Sequence, residues 1–357
     1  MSTTIDDEQA AVEAFLGQVA GDAATAFHAA TVLLGDKLGL YRALAGGGPA
    51  TADELAARTN CDTRYVTEWA NAQAAAGYCQ YDAATGRYSL TPAQAIVLTD
   101  ESSPAFGAGL MTLAGVLFRD EERLNRDAFR TGAGVGWHEH HHDLFHATER
   151  LFKPGYIGNL VQSWIPALDG VAEKLTAGAT VADIGCGHGA STVVLAQAFP
   201  NSTIVGFDYH PESIEVARKR AADAGVADRC HFEVASAADF TGGDYALACV
   251  FDALHDMGDP LQAAVHIRES LASDGTFLLV EPMAGETVAD NTNPIGKLFY
   301  SAGTFICVPH AKSQGGRYAL GPQVPEATWR EILTEAGFGR FRRATETPFN
   351  RVFEARP

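Results

Sequence analysis

The chain predicts an α/β protein: a mainly parallel sheet with helices on both faces, preceded by a mainly helical segment that ends in a small hairpin. Three observations predict it. Strand-like and helix-like runs alternate over residues 171–357, the pattern of parallel strands joined by crossover helices. A glycine-rich turn, Gly185-Cys186-Gly187-His188-Gly189, stands where the first of those strands meets its helix. Between Thr51 and Leu90 two short helices are followed by two short strands, the order of a winged helix.

In the N-terminal part, Leu33, Leu34, Leu38 and Leu40 form one apolar helical face that Gly46-Gly47-Gly48 breaks. Thr51 followed by Glu54 is a capping-box signature. Asp62 caps the next helix, where Val66, Trp69, Ala70 and Ala74 share a face until Gly77. Strands at 78–81 and 87–90 flank a turn containing Gly86. Residues 104–168 read as a helical bridge and lid, with a glycine break at 132–136 and a loop at Lys153-Pro154-Gly155. Strands follow at 180–184, 203–207, 231–234, 245–251 and 276–281, and a closing hairpin at 338–343 and 349–355. Between them, Glu215 and Lys219 form an i,i+4 pair, Gly225 ends that helix, and Asp259-Pro260 opens the next. Asp274-Gly275 turns the chain into the fifth strand. The expected domains are 1–103, 104–168 and 169–357.

Composition narrows the partners. Twenty-six basic and 44 acidic side chains leave a formal charge of −18, which repels nucleic-acid backbones and anionic membranes. From Thr51 to Asp100 there are six acids against three bases, so the winged helix lacks the charge that phosphate binding needs. We expect it to dimerise the chain or cap a substrate. No apolar run is long enough to span a bilayer, the start is acidic, and six scattered cysteines without a CxxC pair read as reduced thiols. The expectation is a cytoplasmic protein.

The glycine turn carries the chemistry. Gly185-x-Gly187-x-x-Ala190 also fits a dinucleotide fingerprint, and Asp208 ends the second strand where a ribose-binding acid belongs. Asp183, two residues before the first glycine, decides between ligands: it repels a pyrophosphate and suits an ammonium and a sulfonium. Tyr209 offers a face to adenine, while Ser236 and Ala237 leave room for its edge.

Residues 171–357 resemble class I S-adenosylmethionine-dependent methyltransferases, on Asp183-x-Gly185-x-Gly187-x-Gly189, the Asp208 strand end, Phe251-Asp252-Ala253-Leu254-His255-Asp256 and Glu335-Ala336-Gly337-Phe338. The resemblance implies a Rossmann-like seven-stranded sheet of order 3-2-1-4-5-7-6, S-adenosylmethionine as cofactor, Phe251 in the cofactor site, and a small-molecule substrate. With the winged helix it extends to O-methyltransferases that dimerise through that domain. Met257 stands where the plant enzymes of this kind carry tryptophan, and Ser236 where many methyltransferases carry aspartate.

By the same resemblance His255 is the general base for O-methylation, oriented by Asp252 or Glu281, with Asp256 a supporting contact. Trp137, His138, His141 and Phe145 are expected to face substrate from the lid. His138-Glu139-x-x-His142 matches a zinc-protease signature by letter, but the glycines before it place it at a helix start, and no metal is assigned. Competing readings are C- or N-methylation, possible also at a His255/His310 metal pair, a nicotinamide-dependent oxidoreductase, and a ligand-sensing regulator.

Overall fold

The computed structural model describes residues 5–357, which divide into two compact units between Gly115 and Val116. In the first, helix Ile5–Lys37 is followed by Leu40–Gly47, Ala52–Thr59 and Thr63–Ala75, then the hairpin of β1 (Gln80–Asp82) and β2 (Arg87–Ser89), and helix Pro92–Thr99. The caps are those the sequence signals. Thr51 and Glu54 satisfy each other's backbone N–H groups, and Asp62 accepts from the N–H groups of Arg64 and Tyr65. Val66, Trp69 and Ala70 turn inward with Leu40, Tyr41, Leu44 and Leu55. Gln73 joins them with no exposed surface, accepting from the Tyr41 hydroxyl at 2.6 Å and donating to Thr31 Oγ1 at 2.9 Å.

The second unit is built on a seven-stranded sheet: β3 (Thr180–Ile184), β4 (Thr203–Asp208), β5 (Cys230–Val234), β6 (Tyr245–Phe251), β7 (Leu271–Pro282), β8 (Arg340–Glu346) and β9 (Asn350–Arg356). Their order is β5-β4-β3-β6-β7-β9-β8, which counted within the sheet is 3-2-1-4-5-7-6. β9 runs opposite to the other six strands of this sheet. Alternation along each strand splits the core in two: Val181, Leu247, Cys249 and Leu278 pack on one side of the sheet, Ile184, Ala248, Val250 and Leu279 on the other. The chain leaves β3 toward β5 and later returns to β6 beside β3. That reversal opens a crevice at the carboxyl ends of these two strands.

Three local expectations need correction. Asp274-Gly275 is not a turn before the fifth strand but an irregularity inside β7, where Tyr245 pairs with Leu271 and Leu247 already with Thr276. Lys153-Pro154-Gly155 is not a loop: helix Asp143–Gly155 runs on into a wide π-helical stretch, Tyr156–Trp164. The wider turns accommodate the missing proline N–H, and Leu160 and Trp164 anchor the stretch in the core. Glu215 pairs with Arg218 at 2.5 Å, where Lys219 was expected.

Gln73→Leu keeps the buried volume but strips the Tyr41 hydroxyl and Thr31 of a partner. The expected loss is about 1–3 kcal/mol, seen as a lower urea midpoint and faster amide exchange along helix Thr63–Ala75.

Candidate active site

At the end of β3 the backbone takes positive φ at Gly185, Gly187 and Gly189, a conformation side chains resist. A Cβ on Gly189 would lie 2.8 Å from the Phe232 ring, so that glycine serves packing. At Gly187 no atom stands within 4 Å of such a Cβ, so the backbone there is open to a ligand. The Gly187 N–H donates to Asp208 Oδ2 at 2.9 Å, and the His210 N–H to Asp208 Oδ1 at 2.9 Å. Burial raises the Asp208 pKa above the usual carboxylate value, against the pull of those two N–H groups.

The loop borders a cavity of about 810 Å³. Of the expected cofactor residues, Gly185, Gly187, Asp208, Tyr209, Ser236, Ala237 and Phe251 line it. Asp183 does not. It is wholly buried behind the loop, its Oδ2 accepting from Ser191 Oγ at 2.7 Å and Thr192 Oγ1 at 2.6 Å. Burial lifts its pKa to about 6, and its Oδ1 has no hydrogen bond among the described residues. Ser236 reaches the cavity, but its hydroxyl donates to Asp239 Oδ1 at 2.7 Å. Tyr156 packs against Phe251 and Trp164 and closes the floor.

His255 lies outside the cavity lining. It is 3% exposed, with Nδ1 at 2.6 Å from Glu281 Oε2 and Nε2 at 3.1 Å from Asp256 Oδ1. Burial alone would lower its pKa, but the carboxylates of Glu281 and Asp256 hold it well above the usual histidine value. With Nδ1 held by Glu281 and the ring outside the lining, His255 does not face the cavity. Asp256, Asp252 and His310 do line the cavity. Asp252 sits at φ 49°, accepts from Asn350 Nδ2 at 2.8 Å, and burial raises its pKa well above the carboxylate range.

Gln314 sets the His310 tautomer. Its Oε1 accepts from the Gly258 N–H at 3.1 Å, and its Nε2 donates to the Asp256 carbonyl and to His310 Nε2, each at 2.9 Å. His310 Nε2 is therefore an acceptor, and the ring proton sits on Nδ1, buried and unpartnered among the described residues. Burial pulls its pKa down to about 4, so the ring is neutral.

From the lid, Trp137 and Phe145 line the cavity; His138 and His141 do not. The zinc-protease letters are split by geometry. Trp137–Glu139 is a single 3-10 turn, His142 precedes helix Asp143–Gly155, and His141 is held by Arg119 and Asp143. His140 is buried against Asp120 at 2.6 Å. Sequence reasoning missed the clasp that holds this lid. Glu149 pairs with Arg220 and, at 3.2 Å, with His188 of the glycine loop, while Phe145 stacks 4.5 Å from the His210 ring. Nothing in the spacing of residues 149, 188 and 220 signals the contact.

Residues 175–337 match the family model described as a methyltransferase domain, and residues 26–100 the Rv2258c-like winged HTH domain. The 27-O-demethylrifamycin SV methyltransferase of Amycolatopsis mediterranei (strain S699) is 34% identical over 131 residues, 34% of this chain and 48% of that protein. The phenazine O-methyltransferase PhzM of Lysobacter antibioticus is 31% identical over 143 residues, 37% of this chain and 39% of that protein. The chain thus spans less than half the length of these curated relatives. Among solved structures, mitomycin 7-O-methyltransferase MmcR superposes with a TM-score of 0.71 at 20% identity, covering 98% of this chain and 100% of that one. PigF with SAH superposes at 0.73 and 18% identity over 100% of both. Residues 175–337 of the second unit thus form a methyltransferase domain, and the chain carries a winged HTH domain before it.

The Glu149 clasp has a definite pH dependence. Burial pushes its carboxyl up, but His188 and Arg220 outweigh that and hold it below its ordinary value of 4.5. A depressed carboxyl pKa stabilises the fold above the ordinary value and ceases to do so as pH falls through the folded one. Glu149→Gln is expected to cost about 1–3 kcal/mol at pH 7. Thermal melts of both forms should converge as the pH is taken below 4.5.

Proposed function

We propose that the chain transfers a methyl group from S-adenosylmethionine to an oxygen of a small, partly aromatic or apolar metabolite. One observation carries the reading: Asp208 ends β4 at the mouth of the cavity, beside a glycine loop left open at Gly187. A carboxylate there accepts from both ribose hydroxyls, and Tyr209 presents its ring to adenine. With the Ser236 hydroxyl turned to Asp239, recognition of the adenine edge falls to the backbone around Ala237. Tyr156 and Phe251 enclose the methionine end. Asp183 supports the loop from behind instead of touching the ligand. When bound, the cofactor supplies an electrophilic methyl carbon on a sulfonium that leaves as a neutral thioether.

Methyl transfer is an in-line displacement, so the protein's main work is alignment and exclusion of water. Trp137 and Phe145 form the apolar wall for the acceptor. The polar groups on that side are Asp256, a carboxylate placed to take the hydroxyl proton, and His310, whose Nδ1–H holds a neighbouring oxygen. His255, held by Glu281 behind the lining with Asp256 beside it, positions that carboxylate rather than acting as the base. Oxygen as acceptor is favoured by this pairing of a proton acceptor with a neutral donor.

The N-terminal unit serves assembly in this reading. Val12, Phe15, Leu16 and Val19 leave an exposed stripe at i, i+3, i+4, i+7 on helix Ile5–Lys37, suited to a second copy of the chain. Arg64, the one base on helix Thr63–Ala75, is paired with Glu68 at 2.6 Å, which supports a role other than nucleic-acid binding. Among the described residues no helix is long and apolar enough to cross a membrane.

Titration calorimetry with S-adenosylhomocysteine is the direct test. Asp208→Ala should weaken binding about 10- to 100-fold, the loss of one to two charge-assisted hydrogen bonds. Asp256→Asn should leave that affinity intact and lower kcat about 100-fold or more with an accepted hydroxylated substrate. Failure of the folded, intact protein to bind S-adenosylhomocysteine overturns the reading.

A further inference from the structure

Behind the cavity wall, reached from it only through Asp256, lies a donor cluster that methyl transfer by alignment alone leaves unexplained. His255, Asp256 and Cys307 each place one ligating atom within 4.8 Å of the other two, and all three side chains are buried. They come from two elements: the turn after β6 supplies His255 and Asp256, and helix Cys307–Ser313 supplies Cys307. Because His255 Nδ1 is committed to Glu281 at 2.6 Å, Nε2 is the nitrogen turned toward the cluster.

The approach of Nε2 to Asp256 Oδ1 is unusual. The atoms are 3.1 Å apart, yet Oδ1 makes no hydrogen bond among the described residues, so the ring N–H direction misses the oxygen. The Cys307 thiol faces both groups, so three donor atoms of different kinds converge on one point. Two ligands of one ion, each bonded at about 2.1 Å, stand roughly 3.0–3.4 Å apart for angles between a right angle and a tetrahedral one. Glu281 completes the pattern. A buried carboxylate on the far ring nitrogen fixes the orientation of a ligating histidine and makes its other nitrogen a better donor.

We propose that His255 Nε2, Asp256 and Cys307 Sγ hold a divalent ion of the zinc type, with its remaining position open to the cavity. Mixed nitrogen, oxygen and sulfur donors suit zinc among common ions, and three protein ligands with one open position define a catalytic zinc site. Binding displaces the thiol proton of Cys307 and the Nε2 proton of His255 to solvent, with no change of oxidation state. His310 is no ligand here, because Gln314 keeps its proton on Nδ1; it remains a donor to the substrate. The two other clusters suit an ion less well. His141, His142 and Asp143 are partly exposed, and in His146, Glu149 and His188 the carboxylate is already neutralised by Arg220.

The inference deepens the proposed function and rests on it. The acceptor hydroxyl occupies the open position, where the ion favours its ionised form and its proton passes to the second oxygen of Asp256. The alkoxide or phenoxide then attacks the methyl carbon, and the pair of the breaking C–S bond stays on sulfur. The substrate class is accordingly a hydroxyl compound with a second oxygen near enough to accept from His310.

The test uses the full chain, freed of metal by a chelator and then titrated with zinc alone and, separately, with cobalt. One zinc per chain is expected by elemental mass spectrometry. The cobalt form should show a thiolate-to-metal charge-transfer band that Cys307→Ser lacks. Cys307→Ser and Asp256→Asn should each weaken zinc binding at least 10-fold, while calorimetry with S-adenosylhomocysteine confirms that both variants stay folded. No stoichiometric zinc uptake by protein that binds S-adenosylhomocysteine overturns the metal site and leaves the methyltransferase reading standing. Zinc uptake that Cys307→Ser leaves unchanged and His142→Ala removes overturns it as well. Loss of S-adenosylhomocysteine binding in the unaltered protein is the separate failure of the underlying reading.

Discussion

Glu281 has no exposed surface, and a carboxylate taken wholly out of water must be paired or it costs several kcal/mol. Its partners tie together parts of the second unit that are distant in sequence. His255 gives it both a ring nitrogen and a backbone N–H. Arg351 stands opposite it in the register of β7 and β9, buried and anchored to the Pro282 and Val324 carbonyls. One buried charge thus fixes the turn after β6 against the end of β7 and brings the closing hairpin to both. Asp256, next to His255, is carried to the cavity wall by the same arrangement, and with it the polar end of the site.

The opposite end depends on backbone rather than charge. Glycines with positive φ let the β3 loop fold tightly enough for Gly187 to offer its N–H to Asp208 across the strand ends. Asp183 performs a structural task behind that loop, tying the first turn of helix Ala190–Ala198 to β3 through Ser191 and Thr192. The site therefore has an acidic, backbone-lined end at β3 and β4 and a polar, side-chain-lined end at β6. The lid wall of Trp137 and Phe145 borders both. Such a division suits a reaction in which a bound donor must face an acceptor in line, with little water between them.

Much of this was legible in the sequence because it follows from local chemistry. Short apolar runs alternating with helical segments located the strands of the large sheet, and the Thr51, Asp62 and Asp259 caps were readable because a cap needs only residues a few positions apart. The glycine loop and the Asp208 strand end were readable because a tight turn restricts residue type. Residue roles that depend on which way a side chain turns were not. His255 carries the motif, yet its ring is sealed between two carboxylates, one of them 26 positions away on β7. Asp183 was read as a contact of the ligand's ammonium and sulfonium but turns away from the cavity to Ser191 and Thr192. The helical run through Pro154 escaped notice because proline usually breaks a helix, and only packing of Leu160 and Trp164 shows why this one continues.

By itself, then, the sequence determined the α/β class, the strand positions, the winged helix before them, and the glycine loop that borders the cavity. Each rests on contacts between residues near in the chain or on periodicity along it. The tertiary structure alone decided which side chains share the cavity: Asp256 with His310 and Cys307 behind them, Gln314 setting the histidine tautomer, and Glu149 clasped by Arg220. Those groups are brought together by crossovers of tens of residues, and burial then sets their charge. Neither effect leaves a trace in local spacing.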